Sequence, residues 1–193
     1  MYTLLLLLIY LAFISLGLPD SLLGSAWPVI HQELQVPLSY AGAVTMIISF
    51  GTICSSLMSE RLTRKLGVNI VTVCSVLLTA IALYGFSTAS AFWMLCLWGI
   101  PYGLGAGAID AALNNYVALH YNSRHMSWLH CFWGVGTIIS PYIMSHALTT
   151  SVWQNGYRMV SFLQIGITVI LFVTLPVWKV NRKEDEQKAE QSA

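Results

Sequence analysis

Apolar residues recur along almost the whole chain in runs near or above about 20 residues, the length needed to cross a bilayer as a helix. Polar punctuation divides these runs. The first extends from about Tyr2 to Val29 and is interrupted by Pro19 and Asp20, with Gly17 and Gly24 on either side, a pattern that predicts a bent or locally broken helix. A polar turn over Ile30–Leu38 precedes a second run, Tyr40–Ser59, which ends in the charged stretch Glu60–Gly67. No charge occurs from Leu66 to Ile109, room for two crossings: Val68–Phe86 and Ala91–Val117, separated at Ser87–Ser90. A polar loop over His120–Met126, a fifth run Ser127–Leu148, a polar turn Thr149–Arg158 and a sixth run Met159–Val177 complete the series. The pattern predicts an all-α, polytopic membrane protein of six transmembrane helices (residues 1–178). The mixed-charge segment 179–193 is predicted to be a solvated tail.

Composition agrees with this reading. The chain has 193 residues, of which 56% are hydrophobic and only 9% charged, against roughly 25% charged in a soluble domain. The run near Met1 lacks the basic start of a cleaved signal peptide and is too long for one. Cys54, Cys74, Cys96 and Cys131 all fall in apolar runs without paired spacing or nearby histidines, so they read as small packing residues, and no metal or cofactor is expected. Gly-x-Ser-x-Gly, His-Glu-x-x-His and glycine-rich phosphate loops are lacking, which argues against an enzyme. Nothing points to nucleic acid; the expected surroundings are lipid.

The charges then set orientation. Arg61, Arg64, Lys65, Arg124, Lys179, Arg182, Lys183 and Lys188 fall on one side of a six-span arrangement and only Arg158 on the other. Basic loops stay cytoplasmic, so both termini are expected inside a cell membrane.

Two acids lie within the runs, Asp20 and Asp110. A carboxylate in hydrocarbon is costly, so such residues face a bundle interior or a water-filled cavity and mark function by default. Asp110 follows Gly103, Gly105 and Gly107, whose small size admits close helix packing, and Asn114 lies one turn beyond it. The stretch Gly17-Leu-Pro-Asp-Ser-Leu-Leu-Gly24 matches Gly107-Ala-Ile-Asp-Ala-Ala-Leu-Asn114, and Gly51-Thr-Ile-Cys-Ser55 matches Gly136-Thr-Ile-Ile-Ser140. These pairings set the first span against the fourth and the second against the fifth. The result is a 3+3 inverted repeat, an arrangement typical of transporters with a midplane site. Asn114 either donates to a solute or bonds across helices. His130, Trp133 and Thr137 share one face of the fifth span, which offers an indole for stacking and an imidazole and a hydroxyl for hydrogen bonding. Tyr102 and Trp98 read as packing or interfacial residues.

Gly105 to Tyr116, followed by Leu129-His-Cys-Phe-Trp-Gly134-Val-Gly136 and Pro141, together with Ser56-Leu-Met-Ser-Glu60-Arg61-Leu-Thr63-Arg64-Lys65, resembles the amino-terminal half of a major facilitator superfamily transporter. Within it the chain is most similar to the fucose/glucose–galactose permease-like branch of sugar–proton symporters. The loop after the second span keeps that superfamily's charges but replaces both glycines of G-x-x-x-D-R-x-G-R-K and puts Glu60 for its aspartate. His130 and Trp133 stand where the branch has amide side chains.

The resemblance implies proton coupling and solute recognition at Asp20 and Asp110, and a cytoplasmic latch formed by Glu60, Arg61, Arg64 and Lys65. The alternative for those four residues is charge that only sets topology. Burial disfavours the charged form of a carboxyl, and a group that is neutral in one step and charged in another suits a symporter. The superfamily has twelve spans in two halves with the substrate between them, so six spans supply one wall. The expected partners are therefore a proton, a small solute and a second six-helix half or a second copy. The other expectation is a truncated or split half without transport of its own.

Overall fold

The structure is a computed structural model and describes residues 2–176 and 178. The charged tail at 179–193 lies outside the described residues. Among the described residues seven α-helices follow one another: α1 Tyr2–Asp20, α2 Leu22–Glu33, α3 Tyr40–Leu66, α4 Val68–Ser87, α5 Phe92–His120, α6 Ser123–Thr150 and α7 Trp153–Val173. α1 and α2 form one rod broken at Ser21. Pro19 has no N–H, and its ring crowds the carbonyl four residues back. Among the described residues, five rods are long and apolar enough to cross a membrane: α1 with α2 (counted from Thr3), α3, α4, α5 and α7. α6 is as long as the others, but its apolar residues are diluted by His125, His130, His146 and a series of serines and threonines.

The helices overrun the predicted apolar runs. α2 continues to Glu33, and α3 carries Glu60, Arg61, Arg64 and Lys65 within its last two turns. The predicted polar loop at 120–126 shrinks to Tyr121 and Asn122, and the turn at 149–158 to Ser151 and Val152. Apolar periodicity locates the part of a helix that lipid or core will cover, not its ends, and Glu, Arg, Lys and Gln continue a helix readily. Gly67 alone joins α3 to α4, at φ 87° and ψ 150°, a left-handed conformation that favours glycine.

Two parallel helix pairs form the front of the bundle. α1 lies along α6, with Tyr10 near His125 and Phe132, and Gly17 against Trp133 and Thr137. α3 lies along α5, with Ile48 against Gly103 and Thr52 against Gly107. At both seams a glycine meets backbone. A Cβ on Gly17 would strike the Trp133 carbonyl, one on Gly136 the Ile14 carbonyl, one on Gly103 the Ile48 carbonyl, and one on Gly107 the Thr52 carbonyl. Such contact brings backbones close enough for hydroxyls to reach across. Thr52, Ser56 and Ser59 of α3 donate to the carbonyls of Gly103, Gly107 and Ala108 at 3.3, 3.1 and 3.1 Å.

α4 and α7 back this front layer. α4 runs antiparallel to α5, where Gly85 receives the Trp98 ring, and antiparallel to α7. Buried Gln164 of α7 ties three helices together: it accepts from Thr79 Oγ1 at 2.7 Å and donates to the Ser15 carbonyl at 2.7 Å. Two apolar clusters fill most of the interior, beside a small third of Val71, Ala108 and Ala112. One surrounds Trp27, Phe86, Tyr102, Met144, Trp153 and Tyr157, and the other Ile9, Phe13, Val76, Ile109, Leu113 and Leu129. The outward faces are apolar, with Met46, Phe50, Leu57 and Tyr142 all 70% or more exposed, as lipid contact requires.

Candidate functional site

Where the two apolar clusters meet, the four front helices leave a cleft of about 320 Å³. α1 contributes Phe13, Leu16 and Asp20; α3 contributes Ile48 and Thr52; α5 contributes Tyr102, Ala106 and Asp110; α6 contributes His130 and Trp133. Four of the residues singled out in the sequence thus share one space, although up to 113 positions separate them. Asn114 joins through Asp110, its Nδ2 donating to Oδ1 at 2.9 Å, while its own Oδ1 is buried without a partner among the described residues.

The two acids have different surroundings. Both oxygens of Asp20 are engaged: Oδ1 accepts from the Tyr102 hydroxyl at 2.8 Å and Oδ2 from Trp133 Nε1 at 2.8 Å. Asp20 ends α1 at the break in the first rod, so its side chain reaches α5 on one side and α6 on the other. Among the described residues Asp110 accepts from Asn114 alone, with no hydrogen bond to Oδ2, and it borders the cleft. His130 lies within electrostatic reach of it. The His130 ring binds the Met126 carbonyl through Nδ1 at 3.0 Å. A carbonyl only accepts, so Nδ1 carries the hydrogen and Nε2 is left for the cleft.

Thr137 stands apart. Its hydroxyl donates to the Gly134 carbonyl at 2.8 Å, and its backbone is packed against Gly17. Glu60, Arg61, Arg64 and Lys65 are exposed at the far end of α3, and among the described residues no ion pair joins them. Tyr102 is the residue that reading the sequence missed: taken for packing, it is buried and serves as one of the two donors to Asp20. Its position eight residues before Asp110 puts both on one side of α5. That spacing was the available signal.

A helical membrane bundle holding carboxylates, an imidazole and aromatic donors around one cleft is the architecture of a solute carrier. The chain belongs to the Major Facilitator Superfamily, whose family profile matches residues 9–193. It is a family of transporters, not of enzymes. Among curated proteins, Bypass of stop codon protein 6 of Saccharomyces cerevisiae is 22% identical over 163 residues, covering 83% of this chain and 33% of that protein. The chain therefore spans about a third of the length of the curated relative it matches.

Proposed function

We propose that the chain forms one six-helix wall of a proton-coupled symporter for a sugar or a similar small polar solute. The observation that carries this reading is the pairing of Asp20 and Asp110 across one cleft, the first with both oxygens bonded and the second, among the described residues, with no hydrogen bond to Oδ2. Asp110 with His130 is the pair placed to exchange a proton and meet solute hydroxyls. Asp20 holds Tyr102 and Trp133, whose rings border the same space. α6 is the remaining span, and its His130 and Trp133 border the cleft.

The 3+3 inverted repeat is supported by the equivalent roles of matched residues. Gly17 and Gly107 each meet the backbone of the neighbouring pair member, and Gly51 and Gly136 each pack against the partner helix's backbone. Arg61, Arg64, Lys65 and Arg124 gather at the end shared by α3, α5 and the start of α6, which favours that end, and the termini, being cytoplasmic in a cell membrane. The exposure of Glu60, Arg61, Arg64 and Lys65 at that end supports a latch against a facing half.

A second reading has the chain transporting only with a partner or acting in assembly. It rests on the exposure of Asp20, Asp110 and His130, ionisable side chains that hydrocarbon accepts poorly. The cover is then a second six-helix half, a partner chain or a second copy. Solute-dependent proton uptake into vesicles holding only this chain, abolished by Asp110→Asn, is the result expected of an autonomous pathway. Folded protein with no uptake of any tested sugar, alone or with a second half, would sink the symporter reading; uptake only with the second half selects the partnered form.

A further inference from the structure

Arg158 lies at the end of the bundle away from Arg61, Arg64, Lys65 and Arg124, in the second turn of α7. It borders a cleft of about 280 Å³ between the last turns of α6 and the first turns of α7, separate from the cleft of the two acids. Asn155, Arg158 and Phe162 lie on one face of α7 at spacings of three and four residues, opposite His146, Thr150 and Ser151.

The cation has little to hold it. Its one bond among the described residues runs from Nη1 to Asn155 Oδ1 at 3.4 Å, beyond good hydrogen-bond length. Glu33, the acid at this end, is engaged elsewhere, accepting from Trp153 Nε1 at 2.7 Å and Gln154 Nε2 at 3.1 Å. The Thr150 and Ser151 hydroxyls donate inward, to the His146 and Ala147 carbonyls. The exposed His146 ring makes no hydrogen bond among the described residues. Arg158 and His146 are thus donors that face outward, and among the described residues no carboxylate answers them.

Below this rim the cleft turns apolar. Met159 and Phe162 are 42% and 58% exposed, and the outward stripe of α7 continues through Leu163, Val169 and Phe172. A cationic rim above an apolar groove, at the end of a membrane helix, matches the order of charge and hydrocarbon in a lipid. We propose that this cleft binds an anionic phospholipid. Its phosphate is held by the Arg158 guanidinium with the His146 ring beside it, and an acyl chain runs down α7 past Met159 and Phe162. A guanidinium presents a planar fork of donors that suits phosphate, and a free phosphate would leave the apolar half of the groove unused.

The test is native mass spectrometry of the purified chain in detergent, titrated with phosphatidylglycerol. The expected result is one tightly retained lipid. Arg158→Gln should lower its apparent affinity by about tenfold, which is about 1.4 kcal/mol, while Arg124→Gln at the other end leaves it unchanged. Inorganic phosphate at the same concentration should not displace the lipid. Equal retention by Arg158→Gln overturns the proposal, and so does complete displacement by inorganic phosphate, which would assign the cleft to a free anion. Should Arg158→Gln fail to fold, a diazirine-bearing phosphatidylglycerol on the unaltered protein decides. Crosslinks concentrated on the peptide holding Met159 and Phe162 support the site, and labelling spread evenly over the lipid-facing helices rejects it.

Discussion

Trp133 Nε1 and Asp20 Oδ2 lie 2.8 Å apart, joining α6 to the broken end of α1, while Tyr102 of α5 takes the other oxygen of the same carboxyl. A carboxylate accepts from both donors at once, whereas a protonated carboxyl turns one oxygen into a donor and loses part of that capacity. Trp133→Phe keeps an aromatic ring but removes the N–H together with the five-membered part of the indole. We expect it to lower stability in detergent by about 1–2 kcal/mol, the range for a bond to an ionised group. Combined with Asp20→Asn, the loss should be smaller than the sum of the two, because both changes break the same contact. Thermal melts of the two single variants and the double variant check this, and strict additivity would show that the contact carries no coupling.

Asp110 should behave differently. Asn114 is its one partner among the described residues, so Asp110→Asn is expected to leave the melting temperature close to that of the parent. Solute-driven proton uptake should nevertheless fall by more than about tenfold, the loss of one charge-assisted interaction of about 1.5 kcal/mol. Melting and uptake measured on one preparation separate these effects. A large drop in melting temperature would assign Asp110 to packing.

The helix seams make a prediction about glycines. Gly17→Ala, Gly103→Ala and Gly136→Ala each push a methyl into a neighbouring backbone carbonyl, and each should cost about 1–3 kcal/mol, the usual penalty of overpacking. Gly134 and Gly166 face open space. There alanine should be neutral or raise stability by about 0.5–1 kcal/mol through its better helix propensity. The monodisperse fraction on size-exclusion chromatography after heating ranks the five variants, and equal behaviour would contradict the close seams.

Gln164 offers a test away from the cleft. Gln164→Leu keeps the bulk but strips Thr79 and the Ser15 carbonyl of a buried partner. Hydrogen bonds between membrane helices contribute about 0.6–1.7 kcal/mol, so a loss of about 1–2 kcal/mol is expected, read by a melt, with solute affinity unchanged because Gln164 does not border the cleft. An unaltered melt would mean that the network adds nothing to stability.

The sequence made the apolar runs, the break near Pro19 and the anomalous position of both acids legible, because each rests on local chemistry: run length, a missing N–H, a carboxyl in an apolar run. The convergence of Asp20, Asp110, His130 and Trp133 was approached through matching short segments, which say which spans correspond but not which side chains touch. Tyr102 escaped because a tyrosine in an apolar run reads as filler until the carboxyl that meets its hydroxyl is located, and that carboxyl lies 82 positions away. Thr137 shared a helical face with Trp133 by spacing, yet the approach of Gly17 turned that turn of α6 into a seam. The α3 hydroxyls bonded to α5 carbonyls were likewise hidden, since serines and threonines in a membrane run carry no sign of their acceptor.

The glycine seams have a mechanical consequence. Where backbone touches backbone along α1–α6 and along α3–α5, little side-chain bulk is left to repack, so each pair is suited to travel as a welded lever. Across the cleft the Tyr102–Asp20 bond acts as a strut between the levers, while Trp133–Asp20 lies within one of them. A scissor-like parting of the levers would break this strut in front while Gln164 holds α1 to α4 and α7 from behind.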